Sequence, residues 1–124
     1  MSFGSDIAQG TATTSNASPT TVVSYDFVAN GVPDNSSAIV VVKTIGFDGS
    51  QNTIGVEQKY VVKRSTGNCS IVGLGSTLIS ASDLSIATAS VVLAVNGTSI
   101  EVHVTGVLLT TIGWGSRMEI FYLN

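Results

Sequence analysis

The stretch Ser90-Val-Val-Leu-Ala-Val-Asn-Gly-Thr-Ser-Ile-Glu-Val-His-Val-Thr105 determines the fold class, because apolar and polar residues alternate on both sides of Asn96-Gly97. Asn-Gly is typical of a two-residue type I′ hairpin loop, since both residues tolerate positive φ. Such a loop gives an apolar face with the pairs Val95–Thr98, Leu93–Ile100, Val91–Val102 and Ala89–Val104, and a mostly polar face with the pairs Ala94–Ser99, Val92–Glu101 and Ser90–His103. The stretch therefore predicts a half-buried antiparallel hairpin.

From Thr20 onward the chain consists of short segments rich in Val, Ile, Thr and aromatic residues, separated by Gly, Asn, Asp and Pro. Such segments are typical of strands joined by turns. Strands are predicted at Val22–Val28, Ala38–Phe47, Gly55–Lys63, Ser70–Leu74, Thr88–Val95, Ser99–Thr105 and Met118–Leu123, with Leu78–Ser80 and Leu108–Ile112 as candidates for short additional ones. One helical turn is predicted at Asp83–Ala87. Seven or eight strands at this spacing predict an all-β fold, an antiparallel β-sandwich or jelly-roll-like domain.

The first 21 residues, MSFGSDIAQGTATTSNASPTT, differ from the rest of the chain. They show neither a helical period nor the clean alternation of a strand. We therefore predict an extended N-terminal arm over residues 1–21 and a β-sandwich domain over residues 22–124. Phe3 and Ile7 are the only large apolar side chains of the arm after Met1, and we expect them to anchor it to a partner by filling pockets.

Two predicted strands are apolar on both faces. The run Ile39-Val-Val-Val42 has no polar side, and Met118–Leu123 places large apolar groups on either face. A strand of this kind is either central and covered twice, or its outer face meets another subunit. Because so few residues are left to form a second covering layer, the pattern favours a subunit contact.

Charge and composition restrict the partners. The formal net charge is −3 and charged residues make up 10 % of the chain, which argues against nucleic-acid binding. The only basic cluster is Lys59, Lys63 and Arg64, and on a strand it is divided between two faces. No apolar run reaches the length needed to cross a bilayer. The N-terminus lacks the basic and apolar regions of a signal peptide. We expect neither nucleic acid nor a membrane as a partner, and a protein that is made and used in the cytosol or carried out in a larger particle.

Few residues could support catalysis, because the chain has one His and one Cys. His103 and Glu101 share the polar face of the hairpin and are either half of a metal site at a subunit interface or an ordinary surface pair. Cys69 is interpreted as a small buried filler. Trp114, between Gly113 and Gly115, is either an open platform for a sugar ring or a plug at one end of the core. We expect no enzyme, no cofactor and no metal.

Four segments occur in a characteristic order: Lys59-Tyr-Val-Val-Lys-Arg64, Ile71-Val-Gly73, Ile100-Glu-Val-His-Val-Thr-Gly106 and Ile112-Gly-Trp114. In this order they resemble a β domain found in structural proteins of tailed bacteriophages, in fibres, minor tail proteins and capsid-attached proteins. The resemblance covers residues 38–123. It implies a non-enzymatic and often oligomeric part of the virion, and it assigns no catalytic residues.

The first hypothesis is a capsid decoration (cement) protein. It would form a homo-oligomer, for example a trimer, and its arm would lie on a neighbouring subunit or on the shell. The partners are other virion proteins, either the major capsid protein or the tail, and the location is the virion, assembled in the host cytoplasm. Removal of residues 1–21 is expected to leave a folded protein that no longer binds particles. The alternative is a tail-fibre or tail-tip module that contacts host glycans through exposed loops or Trp114.

Overall fold

A computed structural model describes residues 2–124 as eight β-strands and one turn of 3₁₀ helix. The strands are β1 Phe3–Thr14, β2 Pro19–Asp26, β3 Ser36–Phe47, β4 Thr53–Ser65, β5 Asn68–Ser82, β6 Ser90–Asn96, β7 Ser99–Thr105 and β8 Ile112–Leu123. They form a five-stranded sheet in the order β1-β8-β3-β4-β5 and a three-stranded sheet in the order β2-β7-β6, both antiparallel. The predicted all-β sandwich is confirmed.

The core lies between the two sheets. Alternate residues of β3 and β8, such as Val40, Val42 and Ile120, point inward from the large sheet and are fully buried. Ile100 and Val102 of β7 meet them from the small sheet and are also fully buried. Because side chains alternate along a strand, each sheet is left with a second, outer face.

The β6–β7 hairpin has the predicted faces but a different register. Leu93 and Ile100 are both buried, as expected, yet Leu93 pairs with Val102 and Asn96 pairs with Ser99. The turn is formed by Gly97 and Thr98, with positive φ at Gly97 alone, so the predicted Asn96-Gly97 loop and its pairs are wrong. The displacement moves each partner by two residues, and a shift by two keeps every side chain on its face.

The first residues are extended, but the expectation that they contain no strand is wrong. Phe3–Thr14 forms β1, which pairs with β8 from Phe3↔Leu123 to Thr14↔Ile112. The boundary proposed at residue 21 falls within β2. The arm residues therefore lie at an edge of the large sheet of the chain's own fold.

Most other predicted elements occur with altered ends. The strands β3, β4 and β7 match the predicted segments closely. By contrast, β8 begins at Ile112 rather than Met118, and the segment Leu78–Ser80 is part of the long β5. In the segment Leu108–Ile112, Leu108 and Leu109 form a turn and Ile112 is the first residue of β8. The 3₁₀ turn at Leu84–Ile86 lies inside the predicted helical segment.

The part of the chain that the structure describes has no helix long and apolar enough to cross a membrane.

Candidate functional site

The outer face of the five-stranded sheet is the most unusual surface of the molecule, because large apolar side chains lie on it in the open. We call it the large-sheet face. Its apolar residues include Phe3 and Ile7 of β1, Phe121 and Leu123 of β8, Ile39, Val41, Ile45 and Phe47 of β3, Val61 of β4 and Val72 and Ile79 of β5. Phe3 is 72 % exposed and Ile45 is 63 % exposed. The two-faced apolar strands that the sequence predicts are thus present, and their outer faces are uncovered within the chain.

One end of the large-sheet face is a continuous apolar surface. The cross-strand register places Phe121, Ile39, Val61 and Val72 side by side across four strands. Phe3 pairs with Leu123 in the adjacent position on β1 and β8. Such contiguous apolar surface marks interaction sites in soluble proteins.

The middle of the large-sheet face carries the charges. Arg117 and Glu119 follow each other on the outer side of β8, with Arg117 Nε 3.7 Å from Glu119 Oε1. Lys43 Nζ lies 3.8 Å from Glu57 Oε1, and Lys59 lies two residues further along β4 from Glu57. The signs alternate along both β8 and β4, so cations and anions are interspersed in this band.

The opposite end of the large-sheet face is built around Ile45. Its cross-strand neighbours are glycines on both sides, Gly115 on β8 and Gly55 on β4. Shallow depressions of about 480 and 190 Å³ adjoin Ile45 on the β8 and β4 sides. A Cβ atom added at either glycine would meet no atom within 4 Å. The two glycines therefore leave open space on the surface rather than room for a neighbouring group of the same chain.

Phe3 and Ile7, the predicted anchors, belong to the large-sheet face. The register places Phe3 beside Leu123, Ser5 beside Phe121 and Ile7 beside Glu119. β1 is also tied to the small sheet, because the Tyr25 hydroxyl donates a 3.0 Å hydrogen bond to Asp6 Oδ2. The structure thus presents Phe3 and Ile7 from a paired strand.

Trp114 is buried, with 3 % of its surface exposed. Its indole Nε1 donates a 2.9 Å hydrogen bond to Thr14 Oγ1, and its ring covers Gly46, where a Cβ would lie within 2.8 Å of ring carbons. The interpretation of Trp114 as an open sugar-stacking platform is wrong, because side chains alternate along β8 and place Trp114 inward while Gly113 and Gly115 face outward. The alternative, a plug in the core, is what the structure has.

The outer face of the three-stranded sheet, the small-sheet face, is mostly polar. It carries Thr21, Ser24, Ser90, Val92, Ala94, Ser99, Glu101, His103 and Thr105. His103 Nε2 lies 2.9 Å from Glu101 Oε1, and this hydrogen bond holds the pKa of Glu101 below its usual value. Within residues 2–124, no group of three His, Cys, Asp or Glu side chains is arranged to hold a metal ion.

Cys69 is a buried free thiol, as predicted. Burial raises the pKa of this thiol, although Arg64 acts in the opposite direction. A thiol that is kept protonated is a poor nucleophile.

No protein-family model and no curated protein matches the chain. Among solved structures, the chain is similar to part of a tailspike protein, gp49 from Acinetobacter baumannii bacteriophage Fri1, a capsular polysaccharide depolymerase. The TM-score is 0.49 and the sequence identity is 11 %, over 96 % of this chain and 17 % of the tailspike chain. A similarity this distant gives no argument about activity, substrate or partners.

Proposed function

We propose that the chain is a non-enzymatic structural protein of a tailed-phage virion, a capsid decoration protein that oligomerises and binds its neighbours in the particle through the large-sheet face. The observation that supports this most strongly is the contiguous apolar end of that face, where Phe3, Phe121, Leu123 and Ile39 meet in the open. The order of sequence segments that resembles phage structural proteins supports the virion setting.

The exposed apolar side chains support a binding role because leaving them in water is costly. Each square ångström of apolar surface removed from water stabilises a complex by about 25 cal/mol before the costs of association are subtracted. β3 exposes Ile39, Ile45 and Phe47 on its outer side. A sheet face of this composition is typical of a surface that is covered in the working assembly.

Phe3 and Ile7 keep the anchoring role in this proposal, but they perform it from a strand of the sheet. Removal of residues 1–21 would take away β1, which is paired with β8 along its whole length, and would also expose that inner strand. Point substitutions are therefore the sharper test. Phe3→Ser with Ile7→Ser removes two exposed apolar side chains and keeps the strand.

The test is the amount of protein retained on particles. We expect the Phe3→Ser/Ile7→Ser variant to lower occupancy on virions several-fold in a co-sedimentation assay. The matched control is Val92→Ser with Val95→Ser, which removes two exposed apolar side chains from β6, and it should bind as the unaltered protein does. Equal occupancy of the two variants would contradict the proposed surface.

The number of copies per virion distinguishes a shell protein from a tail protein. Quantitative mass spectrometry of purified virions should find hundreds of copies for a shell protein, whereas a few copies would indicate a tail fibre or tail tip. The same face would serve as an interface in the tail. Burial of Trp114 removes one of the two expected routes to glycan contact, and the exposed loops are the other.

A further inference from the structure

The charged band of the large-sheet face has an internal symmetry. Two neighbouring cross-strand rows cross β8, β3 and β4. One row contains Arg117, Lys43 and Glu57, and the next contains Glu119, Val41 and Lys59. On β8 the positive residue is in the first row and the negative residue in the second, whereas on β4 the signs are reversed.

This arrangement is self-complementary under a half-turn. The axis lies between the two rows, parallel to the sheet face and perpendicular to the strands. Rotation of a second copy by 180° about this axis places each strand opposite the same strand of the first copy. Each row then faces the other row of the partner copy. Glu119 of one copy then faces Arg117 of the other, and Lys59 faces Glu57. By symmetry the interface contains each of these contacts twice. Val41 faces Lys43, whose aliphatic stem can cover it.

The same half-turn also matches large residues with gaps. The row of Phe121, Ile39 and Val61 is brought onto the row of Gly115, Ile45 and Gly55. Phe121 therefore faces the space over Gly115, and Val61 faces the space over Gly55. Ile39 packs on Ile45. Leu123 faces Gly113 in the outermost rows.

We infer that the occupant of the large-sheet face is a second copy of this chain, packed face to face with its strands antiparallel about this two-fold axis. The inference deepens the proposed function, since it names the neighbouring subunit, and it rests on that function only for its place in a virion. It replaces the trimer expected from the sequence with a dimer as the basic unit.

The size of the face is sufficient for a stable dimer. Five strands spaced about 4.8 Å apart and six cross-strand rows spanning about 33 Å give roughly 800 Å², close to the ~800 Å² that each partner contributes to a standard interface. Two packed sheets are usually rotated by about 30°. A rotation of this size leaves the central pairs opposite each other and displaces the outer ones.

The other simple two-fold arrangement fits less well. An axis parallel to the strands over β3 would place β8 of one copy on β4 of the other. Phe121 would then meet Val61, and Gly115 would lie over Gly55, so large groups would collide while gaps faced gaps. In that arrangement Arg117 would face Glu57 and Glu119 would face Lys59, which are also pairs of opposite sign, but Lys43 would face Lys43. The fit of large residues to gaps, together with the Lys43 repulsion, therefore favours the antiparallel arrangement.

The test uses two charge-reversed variants, Arg117→Glu and Glu119→Arg, each with the full chain. Each variant alone places like charges in contact across the dimer, so its dissociation constant should rise by about tenfold or more. An equimolar mixture should form heterodimers with an affinity near that of the unaltered protein, because every contact between residues 117 and 119 is again of opposite sign. Sedimentation velocity over a concentration series measures all three.

A second pair of variants keeps the test independent of how β8 tolerates substitution. Glu57→Lys and Lys59→Glu on β4 should behave in the same way, each weakening dimerisation alone and restoring it when mixed. Mixing one β8 variant with one β4 variant should give no restoration, because these residues do not face each other in the antiparallel dimer. That cross-mixture is the matched control.

Three results would overturn the inference. They are an unaltered protein that stays monomeric up to about 100 μM, single variants that dimerise normally, or mixtures that fail to recover. None of them is a measurement of particle binding. Because Phe3 and Ile7 lie on the same face, the Phe3→Ser/Ile7→Ser variant is measured both for dimerisation and for retention on virions, so the two outcomes are distinguishable. If the protein is monomeric and still requires Phe3 and Ile7 to bind virions, the dimer is contradicted and the proposed function is retained. If the protein is dimeric and does not bind virions, the proposed function is contradicted and the dimer is retained.

Discussion

The two outer faces of the sandwich differ although the inner faces are built alike. On the small-sheet face Ser24, Glu101 and His103 alternate with buried residues, as in a sheet that meets water on one side. On the large-sheet face Ile39 and Phe121 occupy the equivalent outward positions. The inner faces form the core that stabilises the fold, and the difference between the outer faces is the basis of the proposed binding surface.

This difference has a physical origin in sheet burial. A sheet covered on one side needs apolar residues at every second position only. The second set of apolar side chains on β3 and β8 adds little to the stability of one chain, since Ile45 and Phe47 are about half exposed or more. Their stabilising effect is available only when another surface covers them.

The comparison can be tested most strongly on β8, where Trp114 lies on the inner face and Phe121 lies on the outer face. Trp114→Ala leaves a cavity and removes the indole that bonds Thr14, so the free energy of unfolding should fall by about 3–5 kcal/mol. Phe121→Ala, on the outer face, should lower it by about 1–2 kcal/mol but weaken association. Urea unfolding at low protein concentration, combined with sedimentation, measures both. Equal losses of stability would contradict the division between inner and outer faces.

A smaller effect is expected from filling one of the surface gaps. Gly115→Leu places its Cβ in open space, with no atom within 4 Å, so stability should change by less than ~1 kcal/mol. The leucine would occupy the space that faces Phe121 of the second copy, and we expect the dissociation constant to rise about tenfold.

The matched control for this substitution is Ser24→Leu, which adds the same side chain to the exposed small-sheet face. It should leave association unchanged. If Ser24→Leu weakened association as much as Gly115→Leu, the large-sheet face would not be the specific site of association.

The smallest expected effect concerns the pH dependence of the small sheet. The Thr98 hydroxyl donates a 3.0 Å hydrogen bond to Asp26, and backbone N–H groups add to it, which holds the pKa of Asp26 below its usual value. Because the folded-state pKa is the lower one, the carboxylate stabilises the fold above the unfolded-state pKa of about 3.9. This stabilisation is lost as the pH falls from there through the folded-state pKa.

Thermal unfolding between pH 6 and pH 2 measures this loss. On acidification, the melting temperature of the unaltered protein should fall slightly more than that of the Asp26→Asn variant. An identical profile for the variant would show that the hydrogen bonds of Asp26 do not differ in strength between its two protonation states.

The sequence predicted most of the strands after β1 and the inner faces of β6 and β7, because alternation is a local property. It predicted the buried side of Leu93 and Ile100 correctly and their pairing wrongly. The turn position depends on distant groups, since the carbonyl oxygens of Gly97 and Thr98 accept hydrogen bonds from the backbone of Cys69 and Phe27. No local pattern contains that information.

β1 shows a second limit of sequence patterns. Its inward positions include Gly4, Ala8 and Gly10, which are small because neighbouring groups fill the space; a Cβ at Gly4 would collide with the Tyr122 ring. Small residues give no apolar period, so the strand is invisible to a search for alternation. The large-sheet face was partly predictable, from the two-faced apolar strands. The open space over Gly55 and Gly115 was not predictable, because it depends on which residues the cross-strand register places beside these glycines.

The most direct test of the central claim is hydroxyl-radical footprinting of side chains in the free monomer and in assembled virions. If the large-sheet face is covered in the particle, Phe121, Ile39 and Ile45 become strongly protected on assembly, while Val92 and His103 change little. Outer-face residues that react in the virion as they do in the monomer, or protection confined to Val92 and His103, would contradict that coverage.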